Sequence, residues 1–237
     1  MRGVVRRERV AAMVVASMSI AAMGHRVNAQ TPVAIRAADG GVVNADVYGS
    51  GDRAVVLAHG GRFDRTSWKP QARELADAGF RVVAIDFRAA VDARAGREMP
   101  CLYDETCLAR DVSTAIHYLR ETGAKQVSLV GASLGGGAAA QASVDKPAGD
   151  VDRIVLLAHM PIKAPEKIKG RKLFIVARYD TGSGNRPRLP EIRAQYARAS
   201  QPKKLVILDG SAHAQFIFET DQGKRLMREI MRFLTKP

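Results

Sequence analysis

A chain of 237 residues, 46% hydrophobic and 26% charged, has the length and composition of one globular domain with a core of ordinary size. It shows no repeat and no low-complexity tract, which excludes solenoid, collagen-like and disordered classes. The formal net charge is +13, but there is no basic stripe interleaved with aromatics and no nucleic-acid module; the excess reads as a solvated, arginine-rich surface, and no nucleic-acid partner is expected.

The chain opens on Arg2, Arg6, Arg7 and Arg9, then an apolar run from Val10 to Met23, then Val27-Asn28-Ala29, a small-x-small style cleavage site. That order is the order of a secretory signal peptide, too short and wrongly flanked for a stable span. The expectation is a leader over residues 1–29, a mature domain over 30–237, and a secreted or periplasmic protein without a stable membrane span. The leader holds five Arg and one Glu, so removing it takes four from +13 and leaves +9. An uncleaved anchor and a misassigned start codon are the alternatives. Arg6-Arg7 also raises twin-arginine export, though Glu8-Arg9-Val10 continues that signal poorly.

From there, short β-type runs alternate with amphipathic, helix-length runs, the pattern of a mostly parallel sheet covered on both faces. Pro32 to Ala38 and Val42 to Tyr48 flank Asp39-Gly40-Gly41, a hairpin signal. Ala54 to Ala58 reads as a buried strand running into His59-Gly60-Gly61. A helix from about Ser67, with Trp68, Ala72, Leu75 and Ala76 on one face, stops at Gly79. Arg81 to Phe87 is the next strand. Cys101 and Cys107 follow it, the only cysteines of the chain. In an exported protein a structural disulfide between them is expected, closing a short loop for about 2–3 kcal/mol. Two free buried thiols and a metal pair are the alternatives, and the lack of matching His or Cys nearby argues against zinc.

Leu108, Val112, Ala115, Ile116 and Leu119 form a helical stripe ending at Gly123. Gln126 to Val130 is a β-branched apolar run, and Leu134 to Ala142 a helix of small residues. Strands are predicted over Arg153 to Ala158, Lys172 to Tyr179 and Lys204 to Leu208. Helices are predicted over Leu189 to Ser200 and Phe218 to Leu234, the last with Leu226, Met227, Ile230, Phe233 and Leu234 on its apolar face. The whole is an α/β chain of about eight strands. Met160 to Arg171 is too short a link to hold a cap domain.

Between strand and helix stands Gly131-Ala132-Ser133-Leu134-Gly135. Serine between two glycines at such a turn is a nucleophile elbow, which pushes the hydroxyl out at the carboxyl edge of the sheet. Acyl transfer by serine also needs a base, an acid that holds the base in one tautomer, and backbone donors for the oxyanion. Asp180 follows the strand Phe174-Ile175-Val176-Ala177, and His213 lies in the loop after the last strand. Asp209 and Asp86 are rivals for the acid. Asp209 is too close along the loop to His213, and Asp86 is on another strand. Among the histidines, His59 reads as ordering its glycine turn and His117 as a surface residue. His159, at the end of a strand, is a candidate for the pocket lining but precedes Asp180 and so stands in the wrong order for the base. The order Ser133, Asp180, His213 suits an open α/β sheet whose sites lie at strand carboxyl ends. Leu134 N–H, just after the nucleophile, is the first oxyanion donor.

His59-Gly60-Gly61 with Trp68 downstream, Asp86-Phe87-Arg88, the Ser133 elbow, Asp180 and His213 together resemble the α/β-hydrolase superfamily, in its compact, lidless, esterase or dienelactone-hydrolase-like form. The resemblance runs from about Val33 to Leu234. It implies an α/β-hydrolase fold without a cap, and Gly61 or Arg62 as the second oxyanion donor. It departs at Ala89, where the family often has Gly. Dienelactone hydrolases proper use cysteine, so Ser133 argues for a serine esterase. The function expected is cleavage of small-molecule carboxylic esters of small or exposed acyl groups through an acyl-enzyme, with no metal and no cofactor. Exopeptidase or acyltransferase chemistry on the same triad, and a non-catalytic binding protein of this fold, are the alternatives. Arg62 presents a side chain for either an anionic substrate group or water.

Overall fold

The computed structural model describes residues 30–96, 105–182 and 185–236. The expected leader over residues 1–29 and Cys101 lie outside them. The eight strands are β1 (Thr31–Arg36), β2 (Val42–Tyr48), β3 (Arg53–Ala58), β4 (Arg81–Ile85), β5 (Gln126–Ala132), β6 (Arg153–Leu157), β7 (Arg171–Ala177) and β8 (Lys203–Leu208). They form one sheet in the order β1-β2-β4-β3-β5-β6-β7-β8. β2 is antiparallel to both its neighbours, and β3 to β8 are mutually parallel. The central strands read as unbroken apolar runs because both faces are covered, and Val55 to Ala58, Val82 to Ile85 and Leu173 to Ala177 are buried accordingly.

The helices are α1 (Lys69–Asp77), α2 (Arg88–Arg94), α3 (Glu105–Glu121), α4 (Leu134–Asp145), α5 (Arg188–Arg198) and α6 (Gly223–Thr235). A 3-10 turn, Arg65–Trp68, precedes α1, capped by Asp64, whose Oδ1 accepts from Thr66 N at 2.8 Å. α2 is a helix the composition did not announce. Ala89 is its second residue, where an alanine favours helix and a glycine would not. Arg88, its first residue, donates from Nε to Asp111 on α3 at 2.6 Å and from Nη1 to Asp39 in the hairpin at 2.7 Å, tying three elements together. That guanidinium holds the Asp39 carboxyl down to about 2. α4 is buried from Leu134 to Ala140, as suits a helix of Gly and Ala that the backbone of its neighbours approaches closely.

The expected helix from Phe218 to Leu234 is instead two pieces. Residues Ala214–Glu219 make a 3-10 segment, and α6 begins at Gly223. Thr220 breaks them: its backbone is extended and its Oγ1 donates to Ile217 O at 2.8 Å. Between β6 and β7 there is only the 3-10 turn Pro165–Lys167, so among the described residues no cap domain is inserted there. Among the described residues no helix is long and apolar enough to cross a membrane.

Candidate active site

β5 ends and α4 begins at Ser133, which holds φ +50° and ψ −114°. A non-glycine residue in that region costs about 1–3 kcal/mol and persists only where surroundings over-determine it. Here Ser133 N donates to Leu157 O at 2.9 Å, and Ser133 O accepts from Met160 N at 2.9 Å. The flanking glycines are needed because the turn is tight. A Cβ on Gly131 would sit 2.4 Å from Gly135 O, and one on Gly135 would sit 2.4 Å from Ala58 O.

Three loops at the carboxyl edge meet at this serine. Ser133 Oγ lies 2.9 Å from His213 Nε2. His213 Nδ1 lies 2.9 Å from both carboxylate oxygens of Asp180. Asp180 is 1% exposed, and its Oδ1 also accepts from Gly182 N at 2.8 Å. An ionised carboxylate only accepts, so Nδ1 carries the proton and Nε2 is left to accept from the serine hydroxyl. The loops after β7 and β8 are pinned to each other by Arg178 N donating to Leu208 O and Tyr179 N to Gly210 O. Asp209 is two-thirds exposed and faces Arg178 and Arg225, away from the imidazole.

A cavity of about 430 Å³ opens over Ser133 and His213, walled by Gly60, Gly61, Arg62, Phe63, Leu134, Met160 and Phe216 among others. Leu134 N–H is in the first turn of α4 and has no intrahelical acceptor. Across from it, the turn after β3 has two of its N–H groups engaged: Gly60 N donates to Gln215 Oε1 at 2.7 Å and Phe63 N to Gly60 O at 3.0 Å. Among the described residues no acceptor takes the N–H groups of Gly61 and Arg62.

That turn is held by residues composition does not single out. Gln215, buried two positions after His213, fixes Gly60 and donates from Nε2 to Ser67 Oγ at 2.9 Å. Phe216 packs at a tilt against Phe63, with ring centroids 4.8 Å apart. Below, buried Asp46 and Asp86 flank the Arg65 guanidinium, and Asp86 also accepts from Arg65 N at 2.8 Å. His59, fully buried, donates from Nδ1 to Gly60 O at 2.8 Å and accepts at Nε2 from Phe87 N at 3.4 Å. Burial pushes its pKa down, so it is a neutral structural imidazole. His117 is at the surface, paired with Glu121 at 3.1 Å.

His159 is a correction. It does not line the cavity; it is 0% exposed, folded inward from the end of β6 edge-on to Phe174 at 5.4 Å. Ala158, at φ +44°, turns the chain so that the side chain points into the core. Gln195, the polar side chain beside the His159 ring, accepts at Oε1 from Ile162 N at 3.1 Å and donates from Nε2 to Ile162 O at 3.1 Å. Burial, with the nearby Arg188 cation second, pushes the His159 pKa down to about 3.

A serine elbow with His and Asp in reach, on an open, mostly parallel sheet, defines the α/β-hydrolase class. The model of the alpha/beta hydrolase family matches residues 55–186, and the chain belongs to that family. Among solved structures, the chain is similar to a dienelactone hydrolase from Anabaena variabilis, with 22% identity, TM-score 0.73, and 87% of this chain and 96% of that one covered. It is similar also to an esterase from Exiguobacterium antarcticum, with 15% identity, TM-score 0.68, and 87% and 100% covered. Likenesses at these identities speak for the fold. By sequence, 99 residues are 36% identical to the dihydrolipoyllysine-residue acetyltransferase component of the acetoin cleaving system of Cupriavidus necator, covering 42% of this chain and 25% of that protein. The chain spans between 25% and 37% of the length of the curated relatives it matches. The family match supports a hydrolase.

Proposed function

We propose that the protein is a serine hydrolase of small carboxylic esters that works through an acyl-enzyme. The observation that carries the reading is the continuous relay from Asp180 through His213 to Ser133, each step 2.9 Å, with the serine facing a cavity. In this mechanism Ser133 Oγ attacks the ester carbonyl while His213 Nε2 takes its proton, and Asp180 stabilises the imidazolium that forms. The tetrahedral oxyanion is met by Leu134 N–H and by Gly61 or Arg62 N–H. His213 returns the proton to the departing alcohol, and water, activated by the same imidazole, releases the acid. No step needs a metal or an organic cofactor. The uncapped edge suits small or exposed acyl groups, and the esterase and dienelactone hydrolase neighbours agree with ester chemistry.

Export, by a leader over residues 1–29, and a Cys101–Cys107 disulfide belong to the same reading, since that bridge is stable in an oxidising compartment. The test is a panel of p-nitrophenyl esters from acetate to decanoate, with p-nitroanilides and an alcohol acceptor in parallel. Turnover greatest on short esters, with Ser133→Ala losing at least about 10³-fold in kcat, supports the proposal. Anilide turnover exceeding ester turnover, or rate saturation with the acceptor alcohol, would replace it with a peptidase or an acyltransferase.

A further inference from the structure

The opposite edge of the sheet carries a second feature that ester cleavage does not use. A groove of about 300 Å³ lies between the amino ends of β7 and β8 and the last turns of α6. Arg171, Lys172, Lys203, Lys204, Arg232 and Lys236 line it, against one carboxylate, Glu229. These six cations are scattered in sequence; pairing of Lys172 with Lys203 across the strands gathers them.

Their hydrogen-bond accounts differ, and the difference is informative. Lys203 Nζ donates to Tyr196 O, Ala197 O and Ala199 O at 2.7, 3.0 and 2.7 Å, so all three of its protons cap the end of α5. Lys204 is paired with Glu229 at 2.8 Å. Lys172, only 2% exposed, gives one proton to Gly170 O at 2.7 Å and keeps two. Among the described residues no carboxylate forms a close ion pair with Arg171, Lys172, Arg232 or Lys236, and Arg232 only helps Lys204 to hold the Glu229 carboxyl down. The cations crowd one another. Burial first and Lys203 second push the Lys172 pKa down, and Arg153, opposite Arg171 in register, is pushed down by burial, Arg171 and Arg53. Pro202 and the half-buried Phe233 give the groove an apolar wall.

We propose that this groove is a binding site for a phosphate-bearing anion whose organic part rests on Phe233 and Pro202. Guanidinium and ammonium donors converging from β7 and α6 suit a tetrahedral anion that accepts on several oxygens at once, and the bound charge relieves the repulsion among the cations. The same chemistry is offered by a free organic phosphate and by the headgroup of an anionic phospholipid. The site stands at the edge remote from Ser133 and is independent of the ester-hydrolase reading.

The probes are inorganic phosphate and glycerol 3-phosphate, followed by calorimetry, and vesicles of phosphatidylglycerol against phosphatidylcholine, followed by sedimentation. Ionic strength is held constant with chloride throughout. The expected result is saturable binding of at least one phosphate probe, weakened about tenfold or more in Arg171→Gln/Arg232→Gln, with ester turnover unchanged. Lys236→Gln, at the exposed chain end, is the second variant and is expected to weaken binding several-fold should the first fail to fold. Binding of glycerol 3-phosphate without vesicle sedimentation identifies a free ligand. Sedimentation with phosphatidylglycerol alone identifies a headgroup. No saturable binding of any probe, or equal binding by wild type and folded variants, overturns the proposal.

Discussion

Replacing the buried imidazole of His159 by leucine, His159→Leu, is expected to remove a large part of the protein's sensitivity to acid. Leucine keeps an apolar side chain against Phe174, so stability at pH 7 changes little. The pH dependence changes a great deal. In the unfolded chain the imidazole titrates near 6.5, whereas the folded value is about 3. Below pH 6.5 the unfolded state therefore binds a proton that the folded state refuses. Stability is present in full above 6.5 and is lost progressively as pH falls towards 3, at about 1.4 kcal/mol per pH unit. Between pH 7 and pH 4.5 this one group takes away about 2–3 kcal/mol, a large fraction of the stability of an ordinary domain. Urea unfolding at pH 7, 5.5 and 4.5, followed by far-ultraviolet circular dichroism, measures it. The variant should lose that much less than wild type over the interval. Equal pH slopes for the two proteins would refute the reasoning and mean that His159 is protonated or hydrogen-bonded in the fold.

Gln215→Leu removes the acceptor of Gly60 N and frees the turn proposed to carry the second oxyanion donor. It should lower kcat by about 10–10²-fold with a smaller change in KM, since the donor acts on the transition state, and Gln215→Glu should recover part of the loss; a change in KM alone would count against the role. Asp180→Asn is expected to cost about 10³–10⁴-fold in kcat by supplying the wrong hydrogen-bond pattern to Nδ1, with the fold intact by circular dichroism. The proposed export and disulfide predict a protein that begins at Gln30 by intact mass and takes up no iodoacetamide without reduction, while a mass that retains residues 1–29 or carries two alkylations would contradict export and the disulfide respectively.

What could be read from residues alone was what depends on chain-local chemistry. The strands declare themselves because parallel strands buried on both faces must be apolar throughout, as in Leu173 to Ala177. The elbow is legible because only glycine fits at Gly131 and Gly135. Asp180 and His213 are legible as candidates from their place after strands, which fixes the edge at which a side chain emerges. Contacts made across the fold were hidden. Nothing around Gln215 shows that its amide reaches Gly60, 155 positions away. His159 stands at the correct edge, yet the backbone turn at Ala158 sends it inward, and the direction of one φ angle leaves no mark in composition. α2 spans only seven residues, too few for a periodicity to register. The basic groove draws on three separate segments and exists only once β7, β8 and α6 are side by side.

The central claim, that Ser133 is the nucleophile of an acyl-transfer site, is tested most directly with a fluorophosphonate probe and peptide mapping of the adduct. One equivalent of probe attached to Ser133 is the result predicted, with labelling slowed steeply in His213→Ala and absent in Ser133→Ala. A folded wild-type protein that stays unlabelled, or that labels as well when Ser133 is replaced, would contradict it.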